Sequence, residues 1–372
     1  MLDGSVKGPQ GATRRIFLPT IGILLGLAMI GSFAASGATA QIVERPIPED
    51  PVVVDSGAIS GKLLDSGVRA YFGVPFAAPP VRDFRWREPQ PVAPWKGVYH
   101  ADRKAPECIQ VLRRHDINHY FGEEATSEDC LYLNIWAGGT ATGAKLPVIV
   151  YIYGGGFTLG SSGMEMYGGE KLAKKGVVFV NFNYRVGALG FLAHRELTGE
   201  SPHHASGDYG FLDQIAALQW IKRNIAKFGG DPDNITISGQ SAGSTSVSAL
   251  EASPLAKVLF HQGFAMSLSF FDDRLALPNL ADAEKTGLEV QKALGAAAIA
   301  DMPPSQRTRF WRCKRTVSLG APEPYPFRRR STVISCPMPC PPSSRRVIRT
   351  TFQRSSASRA TKARTKSEPH RT

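Results

Sequence analysis

Ile235-Thr236-Ile237-Ser238-Gly239-Gln240-Ser241-Ala242-Gly243 is the stretch on which the reading of this chain turns. Ile235 to Ser238 is a short β-type run, and Ser241 to Glu251 is compatible with a helix, so a strand and a helix meet at a serine flanked by glycines. Flanking glycines let such a turn close tightly and hold the serine in a strained, exposed conformation. A helix starting directly behind Ser241 also offers the Ala242 N–H to an oxyanion forming beside the serine. The bare pattern fits an ordinary glycine-flanked turn too. It gains force from its strand-to-helix context and from Phe228-Gly229-Gly230-Asp231-Pro232 just ahead of it.

Upstream, Cys130 to Trp136, Pro147 to Tyr153 and Val177 to Tyr184 are apolar runs without alternation. This pattern predicts strands buried on both faces, as in a parallel sheet covered by helices. Leu212 to Phe228 has helical spacing, with Leu212, Ile215, Leu218, Ile221, Ile225 and Phe228 on one side. Nearer the N-terminus, Pro51 to Val54, Gly61 to Leu64 and Val68 to Phe72 suggest an antiparallel meander, followed by an irregular Pro-rich stretch to Trp95. Gly154-Gly155-Gly156-Phe157 follows a buried strand, where glycines allow backbone N–H groups to approach a substrate oxygen. A phosphate cradle would need a Lys-Ser/Thr pair next, and none follows. With the serine turn downstream, the oxyanion reading is favoured. The expected fold is α/β, a mostly parallel central sheet flanked by helices.

Glu128-Asp129-Cys130-Leu131-Tyr132-Leu133-Asn134-Ile135-Trp136, Tyr153 to Phe157, Asn183-Tyr184-Arg185, Asp213-Gln214 and Phe228 to Gly243 resemble type-B carboxylesterases and cholinesterases in order and spacing. The resemblance spans about residues 50–300 and implies an α/β-hydrolase. By it Ser241 matches the nucleophile, Gly155, Gly156 and Ala242 match the three oxyanion donors, and Cys108 and Cys130 match a family disulfide. No cofactor and no metal are implied. Gln240 stands where cholinesterases carry a glutamate, and the loop from Cys108 to Cys130 has no tryptophan to stack on a quaternary ammonium. The implied substrate is therefore a small or aryl ester of an uncharged alcohol, as for para-nitrobenzyl-esterase-like members, and not a choline ester. Met266-Ser267-Leu268-Ser269 departs from the family's usual Ser-Gly pair near the acyl pocket.

The two ends read differently. Arg14-Arg15, an apolar run from Ile21 to Ala35, and Ala38-Thr39-Ala40 predict a twin-arginine-like signal peptide over residues 1–40, hence a secreted or periplasmic protein with no membrane contact after cleavage; the alternative reading of the same run, short for a span, is an uncleaved membrane anchor. The carboxylesterase part is expected over residues 41–300. Residues 301–372 hold 17 Lys/Arg against 3 Asp/Glu, which leaves 27 against 29 before them. The net charge of +12 thus belongs to the tail, and the nearly neutral body points to no nucleic-acid partner. No oligomeric state follows from the sequence.

That tail reads as disordered if taken at face value, and as out of frame when reverse-translated. Shifted by one base, Pro304 to Lys314, Val333 to Cys340 and Arg346 to Ala363 permit continuations resembling the family. The last carries the triad glutamate codon across Thr361 and Lys362. A frameshift near Met302 would leave the fold incomplete at its C-terminal side, without the family's glutamate and histidine. It would also turn the strand around Leu259 to Met266 into an uncovered edge. His194, His203, His204 and His261 lie in segments matching non-catalytic parts of the family, and His370 lies near the end of the tail, so none is assigned as the base. The alternative to a serine esterase is a non-catalytic cholinesterase-like binding protein. A nucleic-acid binder working through the tail ranks third.

Overall fold

A computed structural model describes residues 45–110, 125–138, 143–267, 278–293 and 295–299. The segments read as signal peptide and basic tail, with His370, lie outside the described residues, as does most of the loop between Cys108 and Cys130. In chain order the strands are β1 (Val52–Val54), β2 (Gly57–Ser60), β3 (Lys62–Leu63), β4 (Arg69–Pro75), β5 (Val98–His100), β6 (Glu107–Cys108), β7 (Thr126–Ser127), β8 (Tyr132–Ala137), β9 (Leu146–Ile152), β10 (Val178–Phe182), β11 (Gly230–Gln240) and β12 (Gln262–Met266). The helices are α1 (Glu170–Ala173), α2 (Gly187–Phe191), α3 (Arg195–Glu200), α4 (Tyr209–Asn224), α5 (Ala242–Ala252) and α6 (Leu280–Ala293).

Among the described residues seven strands form the central sheet, in the order β12-β11-β9-β10-β8-β4-β3. The pairings from β12 to β10 are parallel, and those from β10 to β3 are antiparallel. The sheet is therefore mixed, and β8, expected among parallel strands, runs against both of its neighbours. The physical reason lies in what an unbroken apolar run reports. Trp136 and Phe179 enter one core with Phe72 and Ala173, while Ile135, Val178 and Val180 enter another with Leu218, Ile221 and Phe228. A strand buried on both faces needs apolar residues at every position whichever way it runs. The N-terminal meander splits as well: β1 and β2 pair in a separate small sheet with β5, while β3 and β4 close the far edge of the main sheet.

Helix α4 starts three residues before the periodic run and ends at Asn224, after which Ile225 to Phe228 form a 3-10 turn. Gly229, at φ 90°, closes that turn in the left-handed conformation that glycine adopts at little cost. Strand β11 then enters the sheet with its register shifted between Gly230 and Ile235, so that Ile235 to Gly239 align with Val148 to Ile152 of β9. The tightly turning serine segment is thereby delivered to the end of β9, where the glycine loop begins.

Among the described residues β12 is the edge of the main sheet beyond β11. Its Phe264 is 59% exposed, and Leu255 and Val258 nearby are 62% and 72% exposed. An exposed apolar edge strand is a template for pairing with another chain, which a charge on the edge opposes. Phe264→Lys is therefore expected to reduce concentration-dependent self-association in sedimentation velocity. Equal sedimentation profiles for variant and parent across the same concentration range would show that this edge is not adhesive.

Candidate active site

Ser241 sits between β11 and α5 at φ 57° and ψ −123°, a conformation that costs a non-glycine residue about 1–3 kcal/mol. Its surroundings over-determine it. The Ser241 N–H donates to the Met266 carbonyl at 3.0 Å, and the Ser241 carbonyl accepts from the Thr245 N–H at 3.0 Å. A Cβ at Gly239 would fall on the Gly243 carbonyl, and a Cβ at Gly243 would fall on the Ile152 carbonyl and reach 3.0 Å from that of Tyr153. Both glycines are thus required by close approach, which lets the first turn of α5 rest on the end of β9.

The glycine loop lies against this turn. A Cβ at Gly154 would come to 2.5 Å from the Gln240 carbonyl and 3.1 Å from the Ser241 Cβ. Gly155 and Gly156 follow at φ 120° and 62°, and Phe157 at 56°. The loop's carbonyls are tied back: that of Gly155 accepts from the Thr158 N–H and hydroxyl, and that of Phe157 accepts from the Gly187 N–H at 2.6 Å. Among the described residues, the N–H groups of Gly155, Gly156 and Ala242 have no hydrogen-bond partner. Ala242 lies at a helix start directly behind half-buried Ser241, where the helix dipole adds positive potential.

Polar side chains to which the sequence reading gave no role hold these pieces. Buried Gln214 donates to the Ser246 hydroxyl at 3.0 Å, and Ser246 donates to the Ala242 carbonyl at 3.1 Å, bracing the first turn of α5. Behind the glycine loop, Gln110 both donates to the Gly160 carbonyl and accepts from its N–H, each at 2.8 Å. Asn183 accepts from the Ser162 N–H at 2.8 Å and donates to the Pro106 carbonyl at 3.0 Å. The available signal was the pair of asparagines, Asn181 and Asn183, interrupting an apolar strand. A polar residue buried there must satisfy other polar groups.

Cys108 and Cys130 are bonded in the structure, with Cα atoms 5.0 Å apart. The described histidines have other work. His194 is buried and bonds Gln291, His203 faces Glu88, His204 is exposed, His261 accepts from the Ile235 N–H, and His100 bonds Ser60. None of them hydrogen-bonds Ser241. Ser267 takes φ 57° immediately after Met266, whose carbonyl anchors the serine, while Leu268 and Ser269 lie outside the described residues. Among the described residues no group of three His, Cys, Asp or Glu side chains is placed to hold a metal ion.

Residues 49–319 match the carboxylesterase family, a match that continues past the change of character at Met302. The chain is 42% identical over 288 residues to fumonisin B1 esterase of Sphingopyxis macrogoltabida, covering 77% of this chain and 52% of that protein. It is 44% identical over 236 residues to liver carboxylesterase of Sus scrofa, covering 59% of this chain and 40% of that protein. Among solved structures, Geobacillus stearothermophilus carboxylesterase EST55 aligns with a TM-score of 0.62 and 36% identity, over 70% of this chain and 52% of that one. A PNB esterase aligns with a TM-score of 0.59 and 34% identity, over 72% and 51%. These likenesses give the chain the α/β-hydrolase fold. It spans about half the length of the curated relatives it matches, or somewhat less.

Proposed function

Because this chain belongs to the carboxylesterase family, we propose that it carries the nucleophilic half of a carboxylic ester hydrolase, with Ser241 as the attacking residue. The Ser241 hydroxyl oxygen adds to the ester carbonyl carbon while a base removes its proton. The Gly155, Gly156 and Ala242 N–H groups receive the resulting oxyanion. When it collapses, the bond to the alcohol oxygen breaks, the alcohol leaves with a proton, and an acyl-enzyme remains for water to hydrolyse. What supports this reading is that the glycine loop packs against a serine held at φ 57° and that, among the described residues, the N–H groups of Gly155, Gly156 and Ala242 have no hydrogen-bond partner. Donors already oriented where charge develops need no rearrangement during reaction, and each is worth about 100- to 1000-fold in rate.

The base and the acid that orients it do not come from the described residues, so complete turnover belongs to a protein that supplies both. The proposed substrate is a small uncharged ester, aryl esters included. Export is proposed on the basis of the N-terminal segment, and the Cys108–Cys130 bond is at home in an oxidising compartment.

The test is covalent capture. A fluorophosphonate probe incubated with the full chain is expected to leave one phosphonyl group on Ser241, located by peptide mass spectrometry, with labelling lowered at least about 100-fold in Ser241→Ala. A Ser241→Ala variant that labels as fast as the parent would remove Ser241 from its role and favour the binding-protein alternative, whereas a parent chain that gains no adduct would show that the base is missing from this chain.

A further inference from the structure

Two tyrosines lock the end of β9 to the chain leaving β10. The regular β9–β10 ladder ends at Asn181 opposite Tyr151. Beyond it the side chains of Tyr153 and Tyr184 take over, with fully buried rings stacked at 4.4 Å and an interplanar angle of 16°. The Tyr184 hydroxyl donates to the Tyr153 carbonyl at 2.9 Å. In return the Tyr153 hydroxyl donates to the Tyr184 carbonyl at 3.0 Å and accepts from the Tyr184 N–H at 3.2 Å.

The Tyr153 carbonyl is a junction. It belongs to the peptide plane shared with Gly154, so fixing the oxygen fixes how the chain enters Gly154-Gly155-Gly156. It is also the atom that a Cβ at Gly243 would approach to 3.0 Å, so the start of α5 rests against it. One hydroxyl thus bears on both sides of the proposed oxyanion hole. We propose that Tyr184 is a positioning residue, whose hydroxyl holds the Tyr153–Gly154 peptide so that the Gly155 and Gly156 N–H groups face the same point as that of Ala242. This rests on the reading of Ser241 as nucleophile.

Burial drives both phenols well above their ordinary pKa, so each hydroxyl keeps its proton and remains a donor. The competing role is packing alone: two large rings filling the core, with hydroxyls satisfied wherever a carbonyl is near. The two roles separate on Tyr184→Phe, which keeps the ring and removes the donor. Tyr71→Phe is the reference, because it removes a core hydroxyl bonded to Asp50 at 2.7 Å, away from the glycine loop.

Each full-length variant is compared with its parent by three measurements: thermal unfolding, the rate and affinity constants of fluorophosphonate labelling, and hydrogen exchange at the Thr158 and Gly187 amides. Those amides donate to the loop carbonyls of Gly155 and Phe157 and report whether the loop is held. Tyr184→Phe is expected to slow the maximal labelling rate about tenfold, as for about one lost hydrogen bond, with probe affinity unchanged and faster exchange at both amides. Tyr71→Phe is expected to lower the melting temperature without either effect. Labelling and exchange in Tyr184→Phe that match Tyr71→Phe would reduce Tyr184 to packing. If the parent chain does not label at all, the base is missing from this chain, and the exchange comparison alone decides whether Tyr184 holds the loop.

Discussion

Replacing Asp213 by asparagine is expected to lower stability by about 3–5 kcal/mol, a large part of the 5–15 kcal/mol typical of a folded domain. Asp213 is fully buried in the first turns of α4 and accepts three hydrogen bonds from Arg185, which directly follows Tyr184. Its Oδ2 takes the Arg185 N–H at 2.9 Å and Nε–H at 2.8 Å, and its Oδ1 takes Nη2–H at 2.7 Å. The guanidinium is itself buried, lies 5.5 Å from the Tyr209 ring, and among the described residues has one other acceptor, the Arg87 carbonyl at 2.9 Å. Asparagine keeps the shape but removes the charge and one acceptor, leaving a cation without compensation in the interior. The exposed Arg45–Asp65 pair supplies the contrast: Asp65→Asn there should cost no more than about 1 kcal/mol, because solvent screens it. Urea unfolding midpoints of both variants against the parent measure the difference. An Asp213→Asn midpoint as close to the parent as that of Asp65→Asn would mean that the buried pair does not fasten α4 to the sheet.

The serine turn was legible in the sequence because its constraints are local. Gly239 and Gly243 are demanded by atoms within a few residues or on the adjacent strand, and a strand-glycine-serine-helix order leaves few ways to turn. The glycine loop was legible for the same reason. Strand direction was not, because β8 and β9 carry the same apolar code although one runs antiparallel to its neighbours and the other parallel. The clasp of Tyr153 with Tyr184, and the bracing of Ala242 by Gln214 through Ser246, were also hidden. Their partners are separated by 30 or so positions and meet only after the sheet forms. The tyrosines read as the ends of apolar runs and as members of two motifs, with nothing in either to show that they meet. In Asp213-Gln214 the two residues were visible as a motif, but which would meet a cation and which a hydroxyl depended on how α4 turns over the sheet.

Gly155 and Gly156 are adjacent and equally glycine, yet their substitution is expected to differ. Gly155 holds φ 120°, and a Cβ there would fall on the Leu159 carbonyl, so alanine must displace the backbone that closes the loop. Gly156 holds φ 62°, and a Cβ there would meet only the Thr158 hydroxyl, 3.9 Å away. Alanine at Gly156 therefore carries little more than the left-handed penalty of about 1–2 kcal/mol and can leave its N–H in place. Gly155→Ala should move both loop donors, and since one donor is worth about 100- to 1000-fold, fluorophosphonate labelling of Ser241 should slow at least about 100-fold. Gly156→Ala should slow it far less, with a modest fall in melting temperature. Matched losses of labelling in the two variants would show that the loop tolerates no side chain at either position. Matched retention would show that the loop N–H groups take no part in stabilising the adduct, and would leave Ala242 as the sole donor of the three.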